Sequence, residues 1–145
     1  MLSCILIGLL LVIVTVGIHG VGTAWMIRRM IGSDILTLHK PDSFSAIWLL
    51  CSTAAKLMLL HVVEVAVWAI AYLVILDVDE ASTIEEAIYF SMATFASLGY
   101  GDVVIAEGPW RLLSGIQAMT GLLVFGWSTA LLFTVVRSLW ESERN

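Results

Sequence analysis

Residues 94–102 read Thr94-Phe95-Ala96-Ser97-Leu98-Gly99-Tyr100-Gly101-Asp102, and a short apolar run leads into them. Two glycines flank Tyr100 directly before an acid. Glycine adopts backbone conformations that are closed to other residues, so the Gly-Tyr-Gly segment can point successive carbonyl oxygens in one direction. Four such strands around an axis would form stacked rings of oxygens, which replace the water around a monovalent cation.

This segment resembles the selectivity filter of potassium channels, whose usual form is Thr-Val-Gly-Tyr-Gly-Asp. Ser97 and Leu98 replace the first two residues of that form. The resemblance extends from about Ile84 to Val136, in the order pore helix, filter, external turn and lining helix, without an insertion. It implies the bacterial-type potassium channel pore-domain family, in which a two-span pore unit contains the filter.

The resemblance also implies roles for individual residues. Carbonyl oxygens of the filter would bind K⁺, and the Ser97 hydroxyl would add the innermost ring. Gly121 falls where the family keeps a hinge glycine, although close helix packing in lipid accounts for it equally well. The implied K⁺ ligands are Ser97, Leu98, Gly99, Tyr100 and Gly101, and the implied filter supports are Thr94, Asp102, Tyr89 and Phe90. K⁺ at the filter is the only metal ion expected, and no cofactor is expected.

The composition indicates a chain made mostly for lipid. Hydrophobic residues make up 60% of its 145 residues and charged residues 13%. The mean hydropathy of +0.99 is typical of a membrane protein. A net charge of −5 and the lack of a basic stripe argue against nucleic acid as a partner. Cys4 and Cys51 lie in apolar runs without metal-ligand spacing, and no nucleophile–base pair or phosphate loop indicates an enzyme.

Three apolar runs are long enough to cross the bilayer. Residues 1–28 are predicted to form an additional N-terminal transmembrane helix, because a signal peptide would carry its positive charge before the apolar stretch and not after it. The basic pair Arg28–Arg29 then lies in the cytoplasm and the N-terminus outside. Residues 29–44 form a cytoplasmic linker, and residues 45–139 form the pore domain.

The pore domain divides into four predicted parts. A helix too short to span begins at two overlapping Ser/Thr-x-x-Glu capping boxes, which start at Ser82 and Thr83. A re-entrant loop permits such a helix at membrane depth. Uninterrupted acidic residues flank this loop on the outside and would concentrate cations there. The parts are an outer helix 45–76, a pore helix 83–96, the filter 97–102 and an inner helix 109–139, followed by a short cytoplasmic tail 140–145 without an attached ligand-gating domain.

Ionisable residues inside a membrane helix are costly and are functional candidates by default. His61 and Glu64 lie three positions apart on one face of the outer helix, and Trp68 follows on that face. The favoured hypothesis is a hydrogen-bonded pair that faces other helices and braces the pore helix, and the second is a proton sensor at Glu64. A metal site is the least favoured, because no second ligand pair has matching spacing. His19, in the first span, is expected to be a hydrogen-bonded histidine between packed helices.

The predicted fold is an all-α membrane protein with three transmembrane helices, a re-entrant pore helix and a filter loop. Because one chain supplies a quarter of each oxygen ring, the mechanism implies a fourfold symmetric homotetramer in the lipid bilayer. The implied function is passive, potassium-selective conduction across the cell membrane, with the C-terminus in the cytoplasm. A nonselective cation channel and a non-conducting membrane assembly subunit are the alternatives. The additional helix is expected to pack outside the outer helix.

Overall fold

The computed structural model describes residues 1–32, 43–75, 83–105, 108 and 110–144. Within these residues the chain folds into four α-helices and contains no strand. The helices are α1 (Leu2–Gly32), α2 (Ser43–Ile75), α3 (Ile84–Phe95) and α4 (Arg111–Arg144). The predicted all-α class is confirmed.

Three of the helices are long and apolar enough to span a membrane. The apolar stretches are Leu2–Ile31, Phe44–Ile75 and Arg111–Glu141. At about 1.5 Å per residue, each measures roughly 45 Å, more than the ~30 Å of the hydrocarbon core. α3 has only 12 residues and cannot cross. The prediction of a multi-pass membrane protein with one additional N-terminal helix is confirmed.

Several helix ends differ from the predicted bounds. α1 continues past residue 28 to Gly32, and α2 begins two residues before the predicted start at residue 45. α4 begins at Arg111 and runs to Arg144, so that most of the predicted tail extends the inner helix. The predicted features outside the described residues are most of the linker 29–44, the acidic residues within 76–82 and 106–107, and the capping residue Ser82.

α1 packs against both α2 and α4. α1 and α4 run parallel, because Gly8 lies against Ile116 in the first half of α4 and Gly20 lies against Trp127 further along. The sequence predicts only that the additional helix lies outside α2. Its long contact with α4 joins it to the inner helix as well.

α2 runs antiparallel to α1. Thr15 of α1 lies against Trp68, whereas Gly22, later in α1, lies against Leu60, earlier in α2. The N-terminal end of α1 therefore shares one end of the molecule with α3 and the loop that follows it. The C-terminal ends of α1 and α4 lie together at the opposite end.

The buried residues form two clusters, one at each end. Large apolar side chains elsewhere face outward, and Leu122 and Phe133 are 61% and 66% exposed, as a helix in lipid requires. The larger cluster, near the loop, contains Cys4, Val65, Trp68, Tyr72, Phe95, Ile105, Leu113 and Val124. The smaller cluster contains Leu49, Val135 and Leu139.

Candidate functional site

The first turn of α3 is fixed by a threonine cap. Thr83 has extended backbone angles, and its hydroxyl accepts a hydrogen bond from the amide of Glu86 at 3.1 Å. This bond satisfies one of the amides that a helix start leaves unpaired. Glu85 and Glu86 lie in the first turn, where negative charge is favourable beside the positive end of the helix dipole. Of the two predicted capping boxes, the one that starts at Thr83 supplies the cap.

The last turn of α3 ends in a Schellman motif that turns the chain into the filter segment. The amide of Leu98 donates to the carbonyl of Ala93 at 2.8 Å, and the amide of Ser97 donates to Thr94 at 2.9 Å. These are the two bonds of that motif, and the residue between cap and loop adopts the left-handed conformation. Here that residue is Ser97, with φ of 56°. The start of the filter is thus a helix cap as well.

Alternate residues of the filter segment have positive φ. The values are 56° at Ser97, 59° at Gly99 and 80° at Gly101, whereas Leu98 and Tyr100 between them do not have positive φ. Alternation of left-handed and right-handed residues is one way in which a chain turns successive amides to one side and its carbonyls to the other. Serine is strained at such a φ and glycine is not. Positive φ at Gly99 and Gly101 agrees with the choice of glycine at these positions, and the role of the segment as a filter stays a prediction.

A hydrogen bond from α3 holds the end of the filter segment. The Tyr89 hydroxyl donates to Oδ2 of Asp102 at 2.6 Å, and the amide of Val103 donates to Oδ1 at 3.1 Å. The bond from Tyr89 keeps the pKa of the Asp102 carboxyl below its ordinary value, because it stabilises the charged form. The same bond raises the pKa of Tyr89. Tyr89 and Asp102 are thus bonded to each other, and their role as filter supports stays a prediction.

The other two predicted supports lie on the same helix. Phe90 is half-buried, and its ring meets that of Tyr72 edge-on at 5.0 Å between centroids. Thr94 is half-buried and lines a cavity of about 400 Å³ between the loop and the first turns of α4. Phe90 therefore anchors α3 to α2, whereas Thr94 faces the space behind the loop.

A buried polar network fastens α3 to the two helices beside it. Gln117 of α4 donates from Nε2 to Oγ of Ser91 at 2.8 Å and to the Ser91 carbonyl at 3.1 Å. Its Oε1 accepts from the Tyr72 hydroxyl of α2 at 2.7 Å. Ser91 in turn donates to the carbonyl of Val65 at 2.8 Å. The sequence predicts none of these partners, although Gln117 is the only glutamine of the chain and an amide within a span needs partners.

Gly121 allows the closest approach between α3 and α4. A Cβ atom built on Gly121 would overlap the carbonyl oxygen of Phe95, the last residue of α3. Any side chain at this position would therefore push the inner helix away from the start of the filter. Of the two predicted explanations for Gly121, this contact supports close packing, and hinge bending stays a prediction.

A family model described as an ion channel, of the two-span potassium-channel pore type, matches residues 58–138. The match covers more than half of the 145 residues. The chain belongs to this ion channel family. Membership implies a role in ion transport. No curated protein and no solved structure matches the channel.

The family match contains most of α2, all of α3 and the filter segment, and most of α4. α1 precedes it, in agreement with the predicted additional helix. The channel pore unit is therefore the part of the chain in which the filter, its supports and the Gln117 network lie.

A second polar group of the channel lies at mid-length of its three long helices. Two histidines contact the Glu64 carboxylate: Nδ1 of His19 lies 2.9 Å from Oε1, and Nδ1 of His61 lies 3.0 Å from Oε2. On the far side of the two rings, Oγ of Ser128 lies 3.3 Å from Nε2 of His19 and 3.0 Å from Nε2 of His61. All four residues are buried. We call them the His-Glu-His-Ser cluster.

The predicted hydrogen-bonded pair of His61 and Glu64 is present, but its main partners lie on α1 and α4. It reaches the pore helix through the ring of Phe95, 6.0 Å from that of His61. His19 is hydrogen-bonded as predicted. The sequence contains no second ligand pair at matching spacing, but the structure places a nitrogen of His19 within 4.8 Å of the ligand atoms of His61 and Glu64. The sequence signal for these contacts is the presence of His19 and Glu64 within predicted spans, because an ionisable group inside the membrane needs a partner.

Trp68 belongs to a separate contact. Its Nε1 donates to Oγ1 of Thr15 on α1 at 2.9 Å, and the side chain is fully buried. Thr15 donates in turn to the carbonyl of Leu11 at 2.8 Å. Trp68 therefore fixes the additional helix α1 to the outer helix α2 and does not belong to the His-Glu-His-Ser cluster.

Proposed function

We propose that four copies of this channel assemble around an axis and conduct K⁺ selectively through rings of backbone carbonyls from residues 97–101. The observation that carries this proposal is the alternation of φ at Ser97, Gly99 and Gly101, directly after a capped pore helix. In the proposed channel this alternation would place a row of carbonyls on one side of the loop. Four rows of oxygens replace the hydration shell of a dehydrated cation.

The exposure of the filter segment supports assembly. In the single chain Leu98 is 55% exposed and Tyr100 66% exposed. The segment begins beside Gly121, about ten residues into α4, which is roughly 15 Å along that helix. Irregular backbone at such a depth is tolerated only where protein covers it or where it lines water. Neighbouring copies would cover one side of the loop, and a water-filled pore would meet the other.

The direction of α3 supports a cation as the permeating species. Its C-terminal end leads into Ser97, and a helix C-terminus carries roughly half a negative charge. Four such ends would surround the inner entrance of the filter. The Ser97 hydroxyl would add oxygens at the same level, and the resemblance to the potassium channel filter makes K⁺ the proposed ion.

The distribution of basic residues supports an orientation. Arg28, Arg29 and Arg137 are exposed near the C-terminal ends of α1 and α4, away from the filter. By the positive-inside rule this end would face the cytoplasm. The N-terminus and the filter mouth would then lie on the outside, as the sequence predicts for the cell membrane.

Potassium-driven flux from proteoliposomes tests the proposal. We expect flux that follows the K⁺ gradient and not a Na⁺ gradient of equal size. Gly99→Ala should abolish it, because alanine is strained at φ of 59°. Gly126→Ala is the matched control, since no atom lies within 4 Å of a Cβ built there. Equal flux of Na⁺ and K⁺ would indicate the nonselective alternative, and intact tetramers without flux would indicate an assembly subunit.

A further inference from the structure

We propose that His19, His61 and Glu64 form an intramembrane binding site for one divalent transition-metal ion of the Zn²⁺ type in each chain. Two imidazoles and one carboxylate are a donor set that such ions prefer. The three side chains come from α1 and α2, and their ligand atoms all lie within 4.8 Å of one another. The site is separate from the filter and is independent of which ion the pore conducts.

Both rings present the same nitrogen to the carboxylate. Nδ1 of His19 and Nδ1 of His61 lie 2.9 and 3.0 Å from the two oxygens of Glu64. Their rings are stacked, with centroids 5.4 Å apart and planes 22° apart. Ligands that bind one Zn²⁺ at about 2.0–2.2 Å lie roughly 3–3.5 Å from one another. The nitrogen–oxygen pairs have nearly this separation already, and small rotations of the rings would close the set on one ion.

A count of hydrogens shows that the His-Glu-His-Ser cluster is one hydrogen short when Glu64 is ionised and both histidines are neutral. Its four contacts form a closed ring, and each contact needs one hydrogen. An ionised Glu64 supplies none, two neutral histidines supply one each, and the Ser128 hydroxyl supplies one. One contact is then left with two lone pairs facing each other. A buried ring of this kind is stable only when a cation, either an added proton or a metal ion, completes it.

With a metal ion in place, both remaining contacts of the ring have one hydrogen each. With the ion on both Nδ1 atoms, each neutral ring carries its hydrogen on Nε2 and donates it to Oγ of Ser128, at 3.3 and 3.0 Å. A hydroxyl oxygen has two lone pairs and accepts both bonds. Metal-bound histidines regularly donate their other N–H to such a partner, which fixes the tautomer and the ring orientation. Ser128 occupies that position for both rings at once.

An ion at this site would connect the additional helix to the pore unit. His19 lies on α1, His61 and Glu64 on α2, and Ser128 on α4. The ring of His61 also contacts those of Phe125 and Phe95, at 4.6 and 6.0 Å. Phe95 is the last residue of the pore helix. Bound metal would therefore stabilise the three-span packing directly behind the filter.

Cobalt titration of the purified full-length channel tests the site. The protein in detergent is first stripped with a chelator, and Co²⁺ is added while visible absorption is recorded, since Co²⁺ adopts zinc-like geometry and is coloured. We expect d–d bands that saturate at one Co²⁺ per chain and disappear when Zn²⁺ is added. Zn²⁺ should also raise the melting temperature, whereas Mg²⁺, which prefers oxygen ligands, should not.

Four variants identify the ligands. His19→Gln and Glu64→Gln should remove the bands, and Ser128→Ala should weaken Co²⁺ binding about 10- to 100-fold, because it removes only the partner of the rings. His39→Gln is the control, since His39 is the third histidine of the chain and lies outside the described residues. Size-exclusion profiles identify any variant that fails to fold.

Three results would overturn the proposal. The first is a wild-type protein without d–d bands or Zn²⁺ stabilisation, which would mean that a proton completes the ring. The second is loss of the bands in the His39 variant. The third is Co²⁺ binding that stays undiminished both in the Ser128→Ala variant and in one of the two ligand variants, His19→Gln or Glu64→Gln. The wild-type titration alone can refute the site, so the test does not depend on the folding of any variant.

Discussion

Replacement of Gln117 by methionine tests whether hydrogen bonds hold the pore helix α3 against α2 and α4. Methionine has nearly the length and volume of glutamine, so packing changes little, but it can neither donate nor accept strong hydrogen bonds. The change removes three bonds of 2.7, 2.8 and 3.1 Å that join α4 to Tyr72 on α2 and to Ser91 on α3. Gln117 is fully buried, so water cannot replace them.

The magnitude follows from what each partner loses. The buried Tyr72 hydroxyl keeps a hydrogen without an acceptor, whereas Ser91 keeps its own bond to Val65. An orphaned buried polar group costs about 1–3 kcal/mol, and a hydrogen bond between membrane helices averages about 0.6 kcal/mol and reaches about 1.7. One orphan and two lost bonds together predict a loss of about 2–4 kcal/mol in unfolding free energy.

Equilibrium unfolding in mixed SDS and maltoside micelles, followed by tryptophan fluorescence, measures this loss. Tyr72→Phe removes the hydroxyl that the methionine variant orphans, so the two changes form a double-mutant cycle. We expect the cost of Gln117→Met to fall by about 1–2 kcal/mol in the Tyr72→Phe background, because no orphan remains.

Two outcomes would refute the reasoning. One is a change of less than about 0.5 kcal/mol for Gln117→Met alone, which would show that apolar packing holds α3. The other is additivity of the two changes within about 0.5 kcal/mol, the range expected of independent sites. Either result would mean that the 2.7 Å contact of Tyr72 and Gln117 carries no coupling energy.

Three further changes test other contacts of the pore helix. Gly121→Ala should destabilise the channel by about 1–3 kcal/mol through overpacking against the last turn of α3, whereas Gly126→Ala should not; equal melting temperatures would contradict this. Tyr89→Phe should raise the pKa of Asp102, because the lost bond is the main cause of its lowering; NMR titration of the carboxyl would then show protonation beginning at higher pH than in the wild type, and an unchanged midpoint would contradict this. Thr83→Ala should cost about 1 kcal/mol as a lost helix cap, and Thr83→Ser should restore it; the same SDS unfolding measures both, and equal losses would exclude the hydroxyl as the cause.

Features that depend on local chemistry were predictable from the sequence. Thr83 with Glu86 is a short-range capping pattern, and its cap is present. The Gly-Tyr-Gly pattern predicts backbone conformations that glycine adopts most easily, and Gly99 and Gly101 both have positive φ. Run length alone identifies the three spans, since a helix of about 20 apolar residues crosses the bilayer.

The packing partners were not predictable, and the reason is the solvent. In water a helix hides its apolar face, so periodicity reveals the buried side, but lipid leaves no such difference. Trp68 is fully buried whereas Val74, six positions later in the same apolar run, is 79% exposed. The contact of His19 with Glu64 spans 45 positions. Polar residues within spans are the one signal that remains, because each must find a partner.

The need of polar groups within the membrane for hydrogen-bond partners also supports the loop, and not the helices, as the surface that meets other copies in the proposed tetramer. Among the described residues, no buried side-chain nitrogen or oxygen lacks a hydrogen-bond partner. The network around Gln117 is therefore satisfied within one chain, and every polar atom around Glu64 has a contact within the same chain. The polar backbone of residues 97–101 is different, since these residues are exposed beside the first third of the inner helix. Protein or water must cover such backbone at that depth, and the proposed tetramer would supply both, with neighbouring copies on one side of the loop and a water-filled axis on the other.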